Sequence, residues 1–325
     1  MPNPNKKRIH LYLYTSLFIL FITTIYQIQN KNHNDFILNP DLLQRNNNNQ
    51  QQQQQQERKG RPIMYTFFEL KKRKNGDLAK LENKFHQAMI SAWSDLWFQA
   101  GWEPRILTMD DAKKHPLFSK YSRKIIRYDK YLFEESYNYM CFVRWLAMAT
   151  QEDGGWMSDY DTFPVGQLGL SNVDGIGMNL PNYGVFTSHE RWVPSLLSGS
   201  ASEWKRMAIA IMDLAVDKIQ FEQKKFYSDM LALQDLYLRD SSLYIQAHHV
   251  EFYPYKDRNQ VDCDITKRLF GVHLSHASTR QAMGKGLIEL PEGENYEYYR
   301  SIFARELFDN WKKQCVPSEF VQVYG

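Results

Sequence analysis

The sequence predicts an α/β domain on a mostly parallel central sheet, a Rossmann-type α/β/α sandwich, preceded by a single transmembrane helix. Three observations predict it. Strand, helix and strand follow one another between residues 63 and 108. An apolar helix, a glycine pair and a short strand recur between residues 140 and 158, and the run from Leu11 to Ile28 carries no charge.

The N-terminal run is long enough to cross most of a bilayer's hydrocarbon core, and Ile9 and His10 extend it. Lys6, Lys7 and Arg8 precede it and only Lys31 follows closely, so the positive-inside rule keeps the N-terminus in the cytosol. A cleaved signal peptide is disfavoured because Thr23-Thr24-Ile25-Tyr26-Gln27-Ile28 offers no small-x-small site. The expected organisation is a cytosolic tail (1–8), a signal anchor (9–28), a stem (29–61) and a lumenal domain (62–325). The stem holds Asn46 to Asn49 and Gln50 to Gln56, which bury too little apolar area to offset chain entropy; it is expected to be disordered.

Net charge is +3, with the basic excess in the first 60 residues. The near-neutral remainder has no basic field for nucleic acid, and that partner class is excluded. Three cysteines are too few for a disulfide scaffold. Cys141 falls in an apolar helix as a buried thiol, whereas Cys263 and Cys315 are the pair free to cross-link in an oxidising lumen. No Asn-x-Ser/Thr sequon occurs.

Within the domain, Ile63-Met64-Tyr65-Thr66-Phe67-Phe68 reads as a central strand, apolar on both faces. Asp77 can cap a helix with Phe85, Met89, Ala92, Trp93, Leu96 and Trp97 on one stripe, closed by Gly101, and Trp102 to Thr108 is the next strand. Asp110 and Asp111 are expected to cap a short helix; residues 117 to 137 read as a connector. A helix through Cys141, Arg144 and Ala149 then meets Gly154-Gly155 and the strand Trp156-Met157-Ser158. Gly166 to Gly184 is loop-rich with Asp174, and Gly184 to Thr187 looks like a strand. Ser200 and Glu203 form an expected capping box for a helix through Phe221. A helix starting near Asp229, strands at 243–252 and 269–274, and a closing helix at 295–313 complete the chain.

The chemistry centres on Asp159 and Asp161. Two carboxylates one residue apart at a strand's exit repel unless a cation or a hydrogen-bond network lies between them, which points to a hard metal. The pattern alone is weak, since Asp262-Cys263-Asp264 repeats it in a polar segment. Context separates the two, because only Asp159 and Asp161 follow a helix, a glycine turn and a strand that set them at a sheet's carboxyl edge. His248-His249 and Glu251 are set aside, as adjacent strand side chains face opposite ways.

Arg144 followed by Gly154-Gly155-Trp156-Met157-Ser158-Asp159-Tyr160-Asp161 resembles the DXD signature of glycosyltransferases with the GT-A fold, particularly the yeast mannosyltransferase and capsular-polysaccharide sugar transferase group. The match covers about twenty residues. A tail, anchor, stem and lumenal domain also resemble Golgi-type transferases. The resemblance implies Mn2+ or Mg2+ holding a UDP- or GDP-sugar donor, with a glycan or glycoconjugate as acceptor. It makes Asp161 a direct metal ligand and Asp159 a ligand of the metal or the donor. Arg144 and Tyr65 become further donor-binding candidates, and Asp229 a catalytic residue reaching the acceptor or sugar. The third metal ligand is then a late histidine, His276 at the end of a strand first and His273 second. In the family an acidic residue often stands three positions before the arginine; here that position is Cys141. Two rival classes remain: a non-catalytic, membrane-tethered carbohydrate-binding or scaffold protein, and a metal-dependent nucleotidyltransferase, for which no glycine-rich phosphate loop follows the first strand.

Overall fold

A computed structural model describes residues 60–69, 77–128, 137–170, 179–220 and 227–317. The expected anchor, nearly all of the stem, and Asp174 lie outside them. Among the described residues no helix is long and apolar enough to cross a membrane.

The mixed α/β domain has a mostly parallel central sheet. Strands β1 (Ile63–Phe67), β2 (Glu103–Leu107), β3 (Gly155–Ser158), β5 (Thr187–Glu190), β6 (Val193–Gly199) and β7 (Ile245–Gln246) are arranged β2-β1-β3-β6-β5-β7. β1 pairs in parallel with both β2 and β3, and β5 with β7, while β6 runs antiparallel to both its neighbours. A smaller sheet holds β4 (Thr162–Pro164), β11 (Gly271–His273) and β8 (Val250–Glu251), in the order β4-β11-β8. β9 (Tyr255–Asp257) and β10 (Gln260–Val261) form a separate hairpin.

Strand alternation divides the core in two. Tyr65, Met157 and Leu197 face one cluster, packed with the helices α4 (Tyr137–Ala149), α5 (Ala201–Gln220) and α6 (Asp229–Arg239). Met64, Trp156 and Leu196 face the other, packed with α1 (Asp77–Gln99) and α9 (Tyr296–Cys315). α1 contributes Trp93 and Trp97, both fully buried, and their indole N–H groups donate to Ser158 Oγ (2.8 Å) and the Thr162 carbonyl (3.0 Å). One helical turn of tryptophans thereby brackets the Asp159-Tyr160-Asp161 loop with both indole N–H groups paired.

Several local expectations are corrected. Thr108 is the N-cap of α2 (Met109–Lys113), and its N–H donates to the Asp111 carboxylate (2.9 Å), so Asp111 caps the helix as the third-position member of a capping box while Asp110 only lies in the first turn. The connector after Leu117 contains α3 (Phe118–Tyr128), which buries Tyr121 and Ile125 one turn apart. Pro181–Gly184 is a tight turn with Asn182 and Tyr183 in the left-handed region, and the strand begins only at Thr187. No capping box joins Ser200 and Glu203, because Ser200 N–H donates to the Gly184 carbonyl (2.8 Å) and Glu203 accepts from Phe186 N–H (2.9 Å). The expected strand at 243–252 breaks into β7 and β8, as the chain leaves one sheet for the other. Asp262 caps the short helix α7 (Cys263–Thr266), and Cys263 is disulfide-bonded to Cys315 at the end of α9.

Candidate metal centre

Gly154 and Gly155 set the approach to the site. Gly154 has φ +68°, and a Cβ there would lie 2.4 Å from the Ala201 amide nitrogen, so both backbone and space demand glycine. The turn feeds β3, which is parallel to β1 and β2, and the chain leaves it at Asp159 on the carboxyl edge. Asp159 N–H is fixed to the Ser195 carbonyl on β6 (2.8 Å), and Leu274 N–H donates to the Asp161 carbonyl (2.8 Å). β11 is thus registered against β4, with His273 opposite Thr162.

That register brings Asp159, Asp161 and His273 together, one ligand atom from each lying within 4.8 Å of the others. Among the described residues it is the one grouping of this kind. His273 Nε2 is 3.5 Å from Asp161 Oδ1, and its Nδ1 is 2.9 Å from Glu190 Oε2. The expected order of the histidines is reversed. β11 ends at His273, and Ser275 caps α8 (His276–Gly284), which carries His276 past the strand. His276 instead meets the Tyr296 hydroxyl and Arg300 Nη1, both at 3.0 Å.

Two buried arginines hold the carboxylates. Arg144 pairs with Asp159 and, through Nε (2.9 Å) and Nη2 (2.5 Å), with Asp229. Arg300 Nη2 pairs with Asp161 Oδ2 (2.5 Å) and also donates to the Leu274 carbonyl (2.7 Å). Asp229 is therefore not placed to touch an acceptor. Its carboxylate also accepts from Trp145 Nε1–H (3.0 Å), and its side chain is only 4% exposed, so it acts on the site through Arg144. Tyr65 is likewise corrected: it lies mid-strand with its side chain packed in the core. Glu190 and Arg300 were missed because their contacts span 83 and 139 positions, with no local pattern to announce them.

Protonation follows from these neighbours. Burial raises the Asp159 carboxyl above the usual range; Arg144 opposes this and Asp161 adds to it. Burial would also raise Asp161, but His273 and Arg300 hold it below that range. Burial alone would lower His273, yet Asp161 and Glu190 raise it well above an ordinary imidazole. The free Cys141 is buried beside Asp229 and Arg144; burial, then Asp229, keeps its thiol protonated.

The donor set suits a divalent cation. Carboxylate oxygens with one imidazole make a mixed oxygen and nitrogen donor set of the kind divalent metals take. Four carboxylates, Asp159, Asp161, Glu190 and Asp229, meet two guanidinium groups and the His273 imidazole, a ring that a bound cation would hold in its neutral form.

No curated protein and no solved structure matches the chain. Residues 50–243, which include Arg144, Asp159, Asp161, Glu190 and Asp229 but not His273 or Arg300, match the family described as Domain of unknown function (DUF8765). That match covers more than half of the 325 residues, and the chain belongs to the DUF8765 family.

Proposed function

We propose that the protein is a metal-dependent glycosyltransferase of GT-A type, moving a sugar from a UDP- or GDP-sugar to a glycan or glycoconjugate acceptor. The observation that carries this is the grouping of Asp159, Asp161 and His273 at the carboxyl edge of a mostly parallel sheet, where open α/β folds bind ligands. A cation bound there would supply Lewis-acid stabilisation of the departing nucleoside diphosphate. The chain's own residues do the positioning: Arg144 and Arg300 orient the two carboxylates, and His273 completes the donor set.

The proposal keeps the N-terminal anchor, the membrane attachment and a Golgi-type lumenal location. The Cys263–Cys315 bond supports an oxidising compartment, where such bonds persist. A carbohydrate-binding scaffold is the second reading, favoured by one observation: each carboxylate is already paired with an arginine.

The deciding experiment follows donor hydrolysis and transfer by the full-length chain across UDP- and GDP-sugars, with and without Mn2+. Metal-dependent turnover, lost in Asp159→Ala and Asp161→Ala and kept in Asp262→Ala, is expected. Sugar binding without any metal-dependent nucleotide binding would leave the scaffold reading standing instead.

A further inference from the structure

Glu190 is a buried anion whose contacts point at the metal centre from outside the Asp-x-Asp loop. It is the last residue of β5, paired across the ladder with Val193 and bridged to His248, so its backbone is held on both sides. Its side chain is 13% exposed. Oε2 accepts two hydrogen bonds, one from the fully buried Ser195 hydroxyl and one from His273 Nδ1–H at 2.9 Å. The same Ser195 accepts the Asp159 N–H through its carbonyl, so one residue of β6 ties Glu190 to the aspartate loop.

A carboxylate can only accept, so the imidazole nitrogen facing it must carry the hydrogen. In the neutral ring this leaves the lone pair on Nε2, which faces Asp161 Oδ1 at 3.5 Å. Across that gap either a proton or a cation can sit between the nitrogen and the carboxylate oxygen, and a cation binds there by displacing the proton. Metal-bound histidines are characteristically held in this way, with the second nitrogen on a carboxylate.

We infer that Glu190 is a positioning residue of the metal centre: by accepting the His273 Nδ1–H hydrogen bond it presents His273 Nε2 to a cation shared with Asp159 and Asp161. This rests on the metal-centre reading above and adds to it a residue that touches neither metal nor substrate.

The test titrates Mn2+ alone into the full-length chain, reading free Mn2+ by electron paramagnetic resonance and histidine ligation by the 14N coupling of the bound ion. Glu190→Ala is expected to weaken Mn2+ about 10–100-fold and to reduce the 14N coupling, and Glu190→Gln, which keeps an acceptor for Nδ1–H, to weaken it less. In a His273→Ala background, Glu190→Ala should cost nothing further, because its effect passes through that ring. Equal losses on both backgrounds would mark a general structural role and overturn the inference. So would wild-type affinity and coupling in Glu190→Ala. Should Glu190→Ala fail to fold, Glu190→Gln and Ser195→Ala decide it through the same dependence on His273. A wild-type chain that binds no Mn2+ would remove the metal centre itself, an outcome distinct from a wild type that binds and a Glu190 variant that binds equally.

Discussion

The chain contains two Asp-x-Asp sequences, and the structure uses them in unrelated ways. Asp159 and Asp161 bracket Tyr160 at the end of a buried strand, and each carboxylate meets a buried arginine, Arg144 from the helix just before the strand and Arg300 from the distant closing helix. Asp262 and Asp264 bracket Cys263. There Asp262 Oδ1 accepts the N–H groups of Asp264 and Ile265 (both 3.1 Å) as a helix cap, Asp264 is 79% exposed beside Lys267, and the cysteine between them is covalently tied to Cys315. One copy concentrates negative charge in a protected place; the other spends its oxygens on its own backbone. Spacing is common to both, so the distinction comes from the partners.

The largest expected effect comes from removing such a partner. Arg300→Met strips Asp161 and the Leu274 carbonyl of their guanidinium at a site 2% exposed, and is expected to cost about 3–5 kcal/mol in urea unfolding together with metal-dependent nucleotide binding. At the other copy, Cys263→Ser with Cys315→Ser should cost about 2–4 kcal/mol, read as a lower unfolding midpoint that reductant no longer changes, with nucleotide binding retained. A loss of binding there would mean that the two regions are not separable.

A smaller effect distinguishes the histidines. His189 is buried with Nδ1 3.0 Å from His249 Nδ1 and Nε2 3.0 Å from Ser198 Oγ. Burial lowers both rings, with each flanked by another imidazole. The unfolded chain then binds more protons than the fold, so this contribution is present above the ordinary imidazole pKa and is lost as pH falls below it. It should amount to about 1–2 kcal/mol between pH 7.5 and 5.5, seen as the part of the pH slope that a His189→Gln/His249→Gln variant lacks. The smallest effect is Asp262→Ala, a lost cap worth about 1 kcal/mol of stability and no change in Mn2+ affinity.

What could be read in advance follows the range of each interaction. β1, α1, β2, α4 and β3 were legible because period-two and helical spacing record which face is buried, and Gly154 because its turn is local. The helix around Tyr121 and Ile125 was missed although its spacing was there to find, as the basic residues around it masked the stripe. The carboxylate pair was legible from context. Its third member was placed three residues late, since sequence alone does not say that β11 stops at His273. Asp229 was noticed, but its role required knowing that α6 begins against Arg144, where it supplies a carboxylate that Cys141 does not.

Arg300 also sets the order in which the centre is completed during synthesis. Asp159 and Asp161 emerge from the ribosome long before the helix that neutralises Asp161, across 139 positions. Until α9 docks, the first strands can pair, but one aspartate has no guanidinium and α1 lacks its neighbour along the shared core. Such a late, long-range closure is slow, and it makes the nascent chain's vulnerability a matter of its last few dozen residues. A stop codon before Arg300 should therefore yield a chain with its sheets and the metal-ligand candidates but without the guanidinium on Asp161, and with the apolar face of α1 left open to chaperones.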